Sequence, residues 1–260
     1  MEKAEYAIMY EIEQSYWWFI GKQFLVKSIF RGASLCEPSK DRILDIGCGT
    51  GTVLKLLEEF GTAYGAELSP DAIRFLKKRD LHLVVRSDVS QSLSFKDGVF
   101  SAVTCLDVLE HVHDDFTLLS EMVRVCRPGG YIIVTVPALN VLWSSHDVAL
   151  HHKRRYTKKR LLEKVSPLSA SVIKKSYYNT ALILPILAVR KLKGLFPDRQ
   201  SMRSDFFMPM PRWINDFLTT VSVTEIRFLK RVNFPFGVSL LLIMQKSGDH
   251  AESRIQDDHA

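Results

Sequence analysis

Between residues 41 and 136 the chain alternates short, nearly continuous apolar runs with longer amphipathic stretches. The runs are Arg42–Ile46 (RILDI), Thr62–Glu67 (TAYGAE), His82–Arg86 (HLVVR), Val99–Leu106 (VFSAVTCL) and Tyr131–Val136 (YIIVTV). Each has the length of a strand rather than of a helix, so each predicts one. Strands apolar on both faces need cover on both faces, which predicts a largely parallel sheet between helices. The intervening stretches supply those helices. Val53, Leu54, Leu56, Leu57 and Phe60 recur at helical spacing, as do Ala72, Ile73, Phe75 and Leu76. Ser69 and Pro70 open the second of these well, a good N-cap followed by the residue best suited to the first helical position. Phe116–Val125 predicts a further helix, and Arg127-Pro128-Gly129-Gly130 a turn into the fifth strand.

The flanks differ in texture. Residues 1–40 read as helical, carry the aromatic cluster Tyr16, Trp17, Trp18 and Phe19, and predict a lid. Residues 137–246 are richer in basic and aromatic residues and complete the domain that starts at 41. In them Lys158–Lys164 predicts a helix, Ser171–Tyr177 a sixth strand and Val238–Gln245 a seventh. Between those strands, about 181–236 forms an insertion predicted to be a helical cap. It begins with Ala181–Val189 (ALILPILAV), followed by Arg190, Lys191 and Lys193. It continues with Phe206, Phe207, Met208, Met210 and Trp213 interleaved with Pro209 and Pro211. The polar tail, 247–260, is expected to fray.

Composition narrows the class. The 260 residues suit one elaborated domain, and 47% hydrophobic with 25% charged residues excludes a disordered or fibrous chain. Lys plus Arg is 35 against 29 Asp plus Glu, so the net charge of +6 admits an acidic partner without demanding one. Cys36, Cys48, Cys105 and Cys126 are scattered, which argues against a disulfide scaffold or structural zinc and for a reducing, cytoplasmic setting. The opening MEKAEYAIMYEIEQ lacks the apolar core of a signal peptide. No run of about 18 apolar residues predicts an ordinary membrane-spanning helix.

The candidate chemistry centres on Leu44-Asp45-Ile46-Gly47-Cys48-Gly49-Thr50-Gly51, at a strand-to-helix junction. Glycines here let the backbone turn sharply and approach a ligand, and the following helix offers free N–H groups. The spacing is G-x-G-x-G, not the G-x-G-x-x-G of a dinucleotide site, which disfavours a nicotinamide-dependent oxidoreductase. Glu67 ends the second strand roughly twenty residues on, where an acid can hold ribose hydroxyls. Asp88 follows the third strand, where an acid can accept from an adenine amino group. The fourth ends in Cys105-Leu106-Asp107. Open α/β sheets bind ligands at this edge.

LDIGCGTG, AELSP, RSDV, FSAVTCLDVLEHV and RPGGYIIVTVP together make residues 42–136 resemble a class I S-adenosylmethionine-dependent methyltransferase. The resemblance implies a Rossmann-like, doubly wound, seven-stranded α/β sheet with its last strand antiparallel. It implies S-adenosylmethionine as cofactor and S-adenosylhomocysteine as product. By position Asp45, Gly47, Cys48 and Gly49 would lie at the methionine part, Glu67 and Leu68 at the ribose, Asp88 and Val89 at the adenine, and Leu106 near the donor sulfur. WWF at 17–19, LWSSHD at 142–147 and HHKRRYT at 151–157 are similar to a methyltransferase group associated with bacterial and archaeal glycan or lipid gene clusters. Lys22 stands where that group tends to carry an arginine.

Methylating a hydroxyl requires a proton to leave, and His is the usual base. His111, His146 and His152 are the catalytic candidates. Asp147, Arg154, Arg155 and Tyr156 are the candidates for substrate recognition. Were Asp107–His111 helical, Asp107, Glu110 and His111 would share one face at a spacing compatible with a divalent cation. No metal is assigned on that basis. The expected reaction is O-methylation of a small-molecule, glycan or lipid-linked acceptor. RNA or protein methylation, and cofactor binding without catalysis, are the alternatives. The basic flank of ALILPILAV makes an anionic membrane surface a candidate partner and peripheral attachment at the inner face an expectation. Nucleic acid is disfavoured, because no RNA-binding module is recognisable.

Overall fold

The computed structural model describes residues 3–33, 36, 40–89, 91–188 and 210–248. Two helices open the chain, α1 (Lys3–Ile12) and α2 (Trp17–Ala33). The alternating core follows: β1 (Arg42–Ile46), α3 (Thr52–Leu57), β2 (Thr62–Glu67), α4 (Pro70–Lys78), β3 (Val84–Arg86), β4 (Phe100–Leu106), α5 (Asp115–Val125) and β5 (Cys126–Pro137). Then come α6 (Ser145–Ala149), α7 (Lys158–Val165), β6 (Ala170–Tyr178), α8 (described over 183–188), α9 (Arg212–Leu229) and β7 (Ser239–Lys246).

The sheet has seven strands in the order β3-β2-β1-β4-β5-β7-β6. β7 runs antiparallel to both neighbours, and the remaining pairings are parallel. The expected topology is therefore present. Successive side chains leave a strand on opposite faces, and the two cores follow that alternation. Leu44, Ile46, Val103, Ile132 and Val134 face Leu118, Leu119 and Met122 of α5 and Leu161 and Val165 of α7. Ile43, Ala63, Ala102 and Ile133 face Leu25, Val26 and Phe30 of α2, Leu54 and Leu57 of α3, and Ile226 and Leu229 of α9. Ser69 caps α4, its hydroxyl accepting from the Ala72 N–H.

Two strand boundaries differ from expectation by more than one residue. β3 starts at Val84: His82 and Leu83 are exposed and lie outside the paired register, although the Leu83 carbonyl accepts the Gly65 N–H at 2.8 Å. The expected turn at Arg127–Gly130 is taken into β5, where Cys126 pairs with Phe100 before the register shifts. Gly129, at φ +72°, supplies the left-handed residue of that irregularity. Of the insertion, Arg190, Lys191, Lys193, Phe206, Phe207, Met208 and Pro209 lie outside the described residues, as does the tail beyond Gly248.

Candidate active site

At the sheet edge where the parallel strands end lies a cavity of about 820 Å³, toward the upper end of ordinary ligand sites. One end is built from the first four strands. Gly47 and Gly49 adopt φ of +67° and +55° after β1. A Cβ on Gly47 would meet Val108 at 2.4 Å, whereas a Cβ on Gly49 would stand in nearly open space. Only glycine makes this turn without strain, and its backbone lines the cavity. Glu67 is buried, and its two oxygens accept the N–H groups of Gly49 and Ser69, each at 2.8 Å. A carboxylate has about four acceptor sites, so those bonds aim it and leave capacity for two hydroxyls. Leu68, Asp88, Val89 and Leu106 also line this end. A glycine cradle, an aimed carboxylate and a second acid beyond it fit an adenosyl group carrying an amino acid.

Asp45 and Cys48 line a smaller adjoining pocket with Lys22. Burial pushes Asp45 up to about 7, against a hydrogen bond from Thr104. Lys22 Nζ lies 2.6 Å from Asp107 Oδ2. Burial raises the Asp107 carboxyl, but the Lys22 ammonium and the Thr135 hydroxyl outweigh it and hold Asp107 below the usual carboxylate range. Glu13, at the end of α1, accepts from Thr50 Oγ1 at 2.6 Å and pairs with Arg79, whose Nε donates to the Thr50 carbonyl at 2.9 Å. Glu13 thereby ties the N-terminal segment to the glycine turn.

The histidines sit after β4 and β5. His152 is nearly enclosed, with its Nδ1 2.9 Å from Asp147 Oδ1. A carboxylate can only accept, so Nδ1 carries a proton, and Nε2 is the ring atom through which another can be exchanged. Nε2 faces Glu110, 3.8 Å from its Oε1. Asp147 is fully buried, and Arg155 reaches it with Nε at 2.8 Å and Nη2 at 3.1 Å. Burial raises Asp147, but its bonds from His152 and Arg155 hold it well below the usual range. The Ser144 N–H also donates to Asp147 Oδ2 at 2.9 Å, at the start of α6. The His111 ring stands 4.8 Å from that of His152, centroid to centroid, and the His146 ring 6.2 Å away. Burial, then the neighbouring His152, push His111 down to about 4, so it stays neutral near pH 7.

The expected residues therefore divide. His111, His146, His152 and Arg155 line the cavity, and Asp147 stands behind His152. Arg154 and Tyr156 do not line it. Arg154 donates to Asp115 at 3.0 Å and to the carbonyls of Val112 and His113, and the buried Tyr156 hydroxyl donates to Asp115 at 2.9 Å. Their substrate role is corrected: a buried acid at the start of α5 draws both inward, and they anchor the loop. The helical reading of Asp107–His111 is also corrected. Residues 109–111 form a turn, and Asp107, at φ +56°, turns to Lys22 and Thr135. Glu110, His111 and His152 instead bring one donor atom each within 4.8 Å of one another, a set a divalent cation could use. Glu110 was expected only as one member of that helical cation set. It is fully buried, neither carboxyl oxygen has a hydrogen-bond partner, and burial, then the Asp107 charge, push its pKa well above normal. Its place beside His111 in an acid-rich turn was the available signal.

The other end of the cavity is apolar. Trp17 and Trp18 of α2, Leu182, Pro185 and Ile186 around α8, Met210, Ile214 and Leu218 around α9, and Val238 before β7 line it. The Trp17 backbone N–H donates to Asn215 Oδ1 at 2.8 Å, and Asn215 Nδ2 to the Ser15 carbonyl at 2.8 Å. These bonds join the aromatic N-terminal segment to α9.

Residues 44–134 match a family model described as a methyltransferase domain. Norajmaline N-methyltransferase of Rauvolfia serpentina is 35% identical over 108 residues, covering 38% of this chain and 37% of its own. A ubiquinone biosynthesis O-methyltransferase of Xanthomonas axonopodis pv. citri is 30% identical over 105 residues, covering 38% and 44%. The chain thus spans less than half the length of these relatives. Among solved structures, a methyltransferase in complex with the Haloferax volcanii Trm112 activator aligns over 95% of this chain and 96% of that one, with a TM-score of 0.61 and 18% identity. A SAM-dependent methyltransferase from Archaeoglobus fulgidus aligns over 86% and 94%, with a TM-score of 0.54 and 24% identity. Strand order, glycine turn and matched segment give residues 44–134 the core of a methyltransferase domain.

Proposed function

We propose that the protein is an S-adenosylmethionine-dependent methyltransferase acting on a hydroxyl oxygen of a small molecule, with His152 as general base. The observation that carries this reading is the buried Asp147–His152 pair, whose His152 lines the same cavity as the glycine turn and Glu67. S-adenosylmethionine, when bound, supplies a methyl group already activated by its sulfonium charge. The protein's own task is then to position the acceptor, exclude water and accept one proton. Asp147 fixes the His152 tautomer, and Arg155 holds Asp147 in place through two hydrogen bonds. Nε2 of His152 takes the hydroxyl proton as the oxygen–carbon bond forms.

RNA fits less well, because Arg154 and Arg155 of the basic run 153–160 are committed to Asp115 and Asp147. Peripheral attachment to a membrane belongs to the same proposal. Leu184 on α8 and Trp213 and Phe217 on α9 are exposed, and no helix among the described residues is long and apolar enough to cross a bilayer. Sedimentation with anionic vesicles, weakening at high salt, measures it. Full recovery in the supernatant counts against it. For the activity itself, calorimetric titration with S-adenosylhomocysteine and with NAD is decisive at the cofactor end. Release of S-adenosylhomocysteine in the presence of hydroxylated acceptors then reports turnover. Binding of NAD without S-adenosylhomocysteine would overturn the proposal.

A further inference from the structure

The strand order arranges the cavity linearly. Asp88 and Glu67 stand over β3 and β2, Gly47 over β1, and His111 and His152 after β4 and β5. Beyond them, Val238 precedes β7, whose Ser239 pairs with Pro137 at the end of β5. Strands lie about 4.8 Å apart, so the apolar end continues past the histidines, on the side away from the cofactor residues. Trp17, Leu182, Ile186, Met210, Ile214 and Leu218 supply its walls. They come from three separate segments, and all but Ile214 share one cluster, to which Leu142 and Val238 also belong. Among the lining residues contributed by α8 and α9 there is no charged side chain. A glycan or a free phosphate ester would leave its polar groups unpaired there, at a cost that such sites reject strongly.

We infer that the acceptor is amphipathic, with its hydroxyl at His152 and a hydrocarbon body of several carbons lying between the N-terminal tryptophans and the α8–α9 wall. The inference rests on the methyltransferase reading for its chemistry. In the step, the hydroxyl oxygen bonds to the methyl carbon, the sulfonium sulfur keeps the electron pair of the broken bond and becomes a neutral thioether, and the proton passes to His152. The apolar end contributes no group to that exchange. It selects the acceptor by burying its chain, and it fixes the distance between chain and hydroxyl.

The test separates binding from turnover. A series of bromine-substituted straight-chain alcohols, differing by one methylene, is titrated into the full-length protein with and without S-adenosylhomocysteine. Quenching of tryptophan fluorescence reports occupancy beside Trp17 and Trp18. Each added methylene should tighten binding about fourfold until the apolar end is filled. Leu218→Gln and Ile186→Gln replace half-buried lining residues and should each flatten that dependence while leaving S-adenosylhomocysteine affinity unchanged. Two variants on different segments guard against one that fails to fold. Affinity independent of chain length, or a slope that survives both substitutions, overturns the inference. Loss of S-adenosylhomocysteine binding with the slope intact would overturn the methyltransferase reading and leave the hydrocarbon site standing.

Discussion

The two ends of the cavity are built by different means. The cofactor end uses backbone: two glycines at positive φ, and N–H groups that aim one carboxylate. All of it comes from the ends of consecutive strands. The acceptor end uses side chains drawn from α2, the β4 and β5 loops, α8, α9 and the start of β7. A backbone cradle is rigid and tolerates side-chain change around it. A wall of side chains from distant segments can be exchanged residue by residue, so one core can serve many acceptors.

That contrast can be broken by substitution. The largest effect is expected at the base. His152→Ala should lower turnover about 10²–10⁴-fold while leaving S-adenosylhomocysteine affinity intact by calorimetry. A variant of undiminished turnover removes His152 from the chemistry. His111 gives a stability effect with a defined sign. Its folded value, near 4, lies below its ordinary 6.5, so its contribution is complete above pH 6.5 and is lost as pH falls toward 4. Denaturant unfolding across that window should show His111→Asn relieving the loss by about 2–3 kcal/mol. At the cofactor end, Glu67→Ala should weaken S-adenosylhomocysteine by about 1.5–3 kcal/mol. Unchanged affinity would show that the carboxylate only shapes the turn. Ser69→Ala should cost about 1 kcal/mol of stability by removing an N-cap. It should leave cofactor affinity alone, because Ser69 reaches Glu67 through its backbone N–H. Loss of cofactor affinity there would blur the contrast between the two ends.

The same contrast explains what could be read from the sequence. β1 and β2 fall on the expected residues, because strands apolar on both faces leave a continuous signature bounded by glycine and polar residues. Glu67 and the glycines are local motifs, and motifs survive in one dimension. The fate of Arg154 and Arg155 was not legible. They are adjacent and chemically alike, yet one meets Asp115 and the other Asp147. Both acids are buried by contacts formed only in the folded chain. The isolation of Glu110 was hidden for the same reason, since it follows from packing between the β4 and β5 loops rather than from its neighbours in sequence. The chain direction also reverses at His151, at φ +57°, which carries His152 toward Asp147 in a way no periodicity announces.

The fastening of Glu13 to Thr50 and Arg79 has a kinetic side. Those contacts hold the N-terminal segment across the glycine turn, and Tyr6 and Met9 of α1 line the same cavity. On the proposed function, the cofactor would pass a segment held by Glu13 and by the packing of Tyr10 against Phe75 and Arg79. On that reading, exchange of the two cofactor forms would be coupled to opening at Glu13, and turnover would be set there as much as at the base, as in enzymes with closing segments. Glu13→Gln should accordingly speed the release of S-adenosylhomocysteine in stopped-flow measurements while sparing the proton-transfer step.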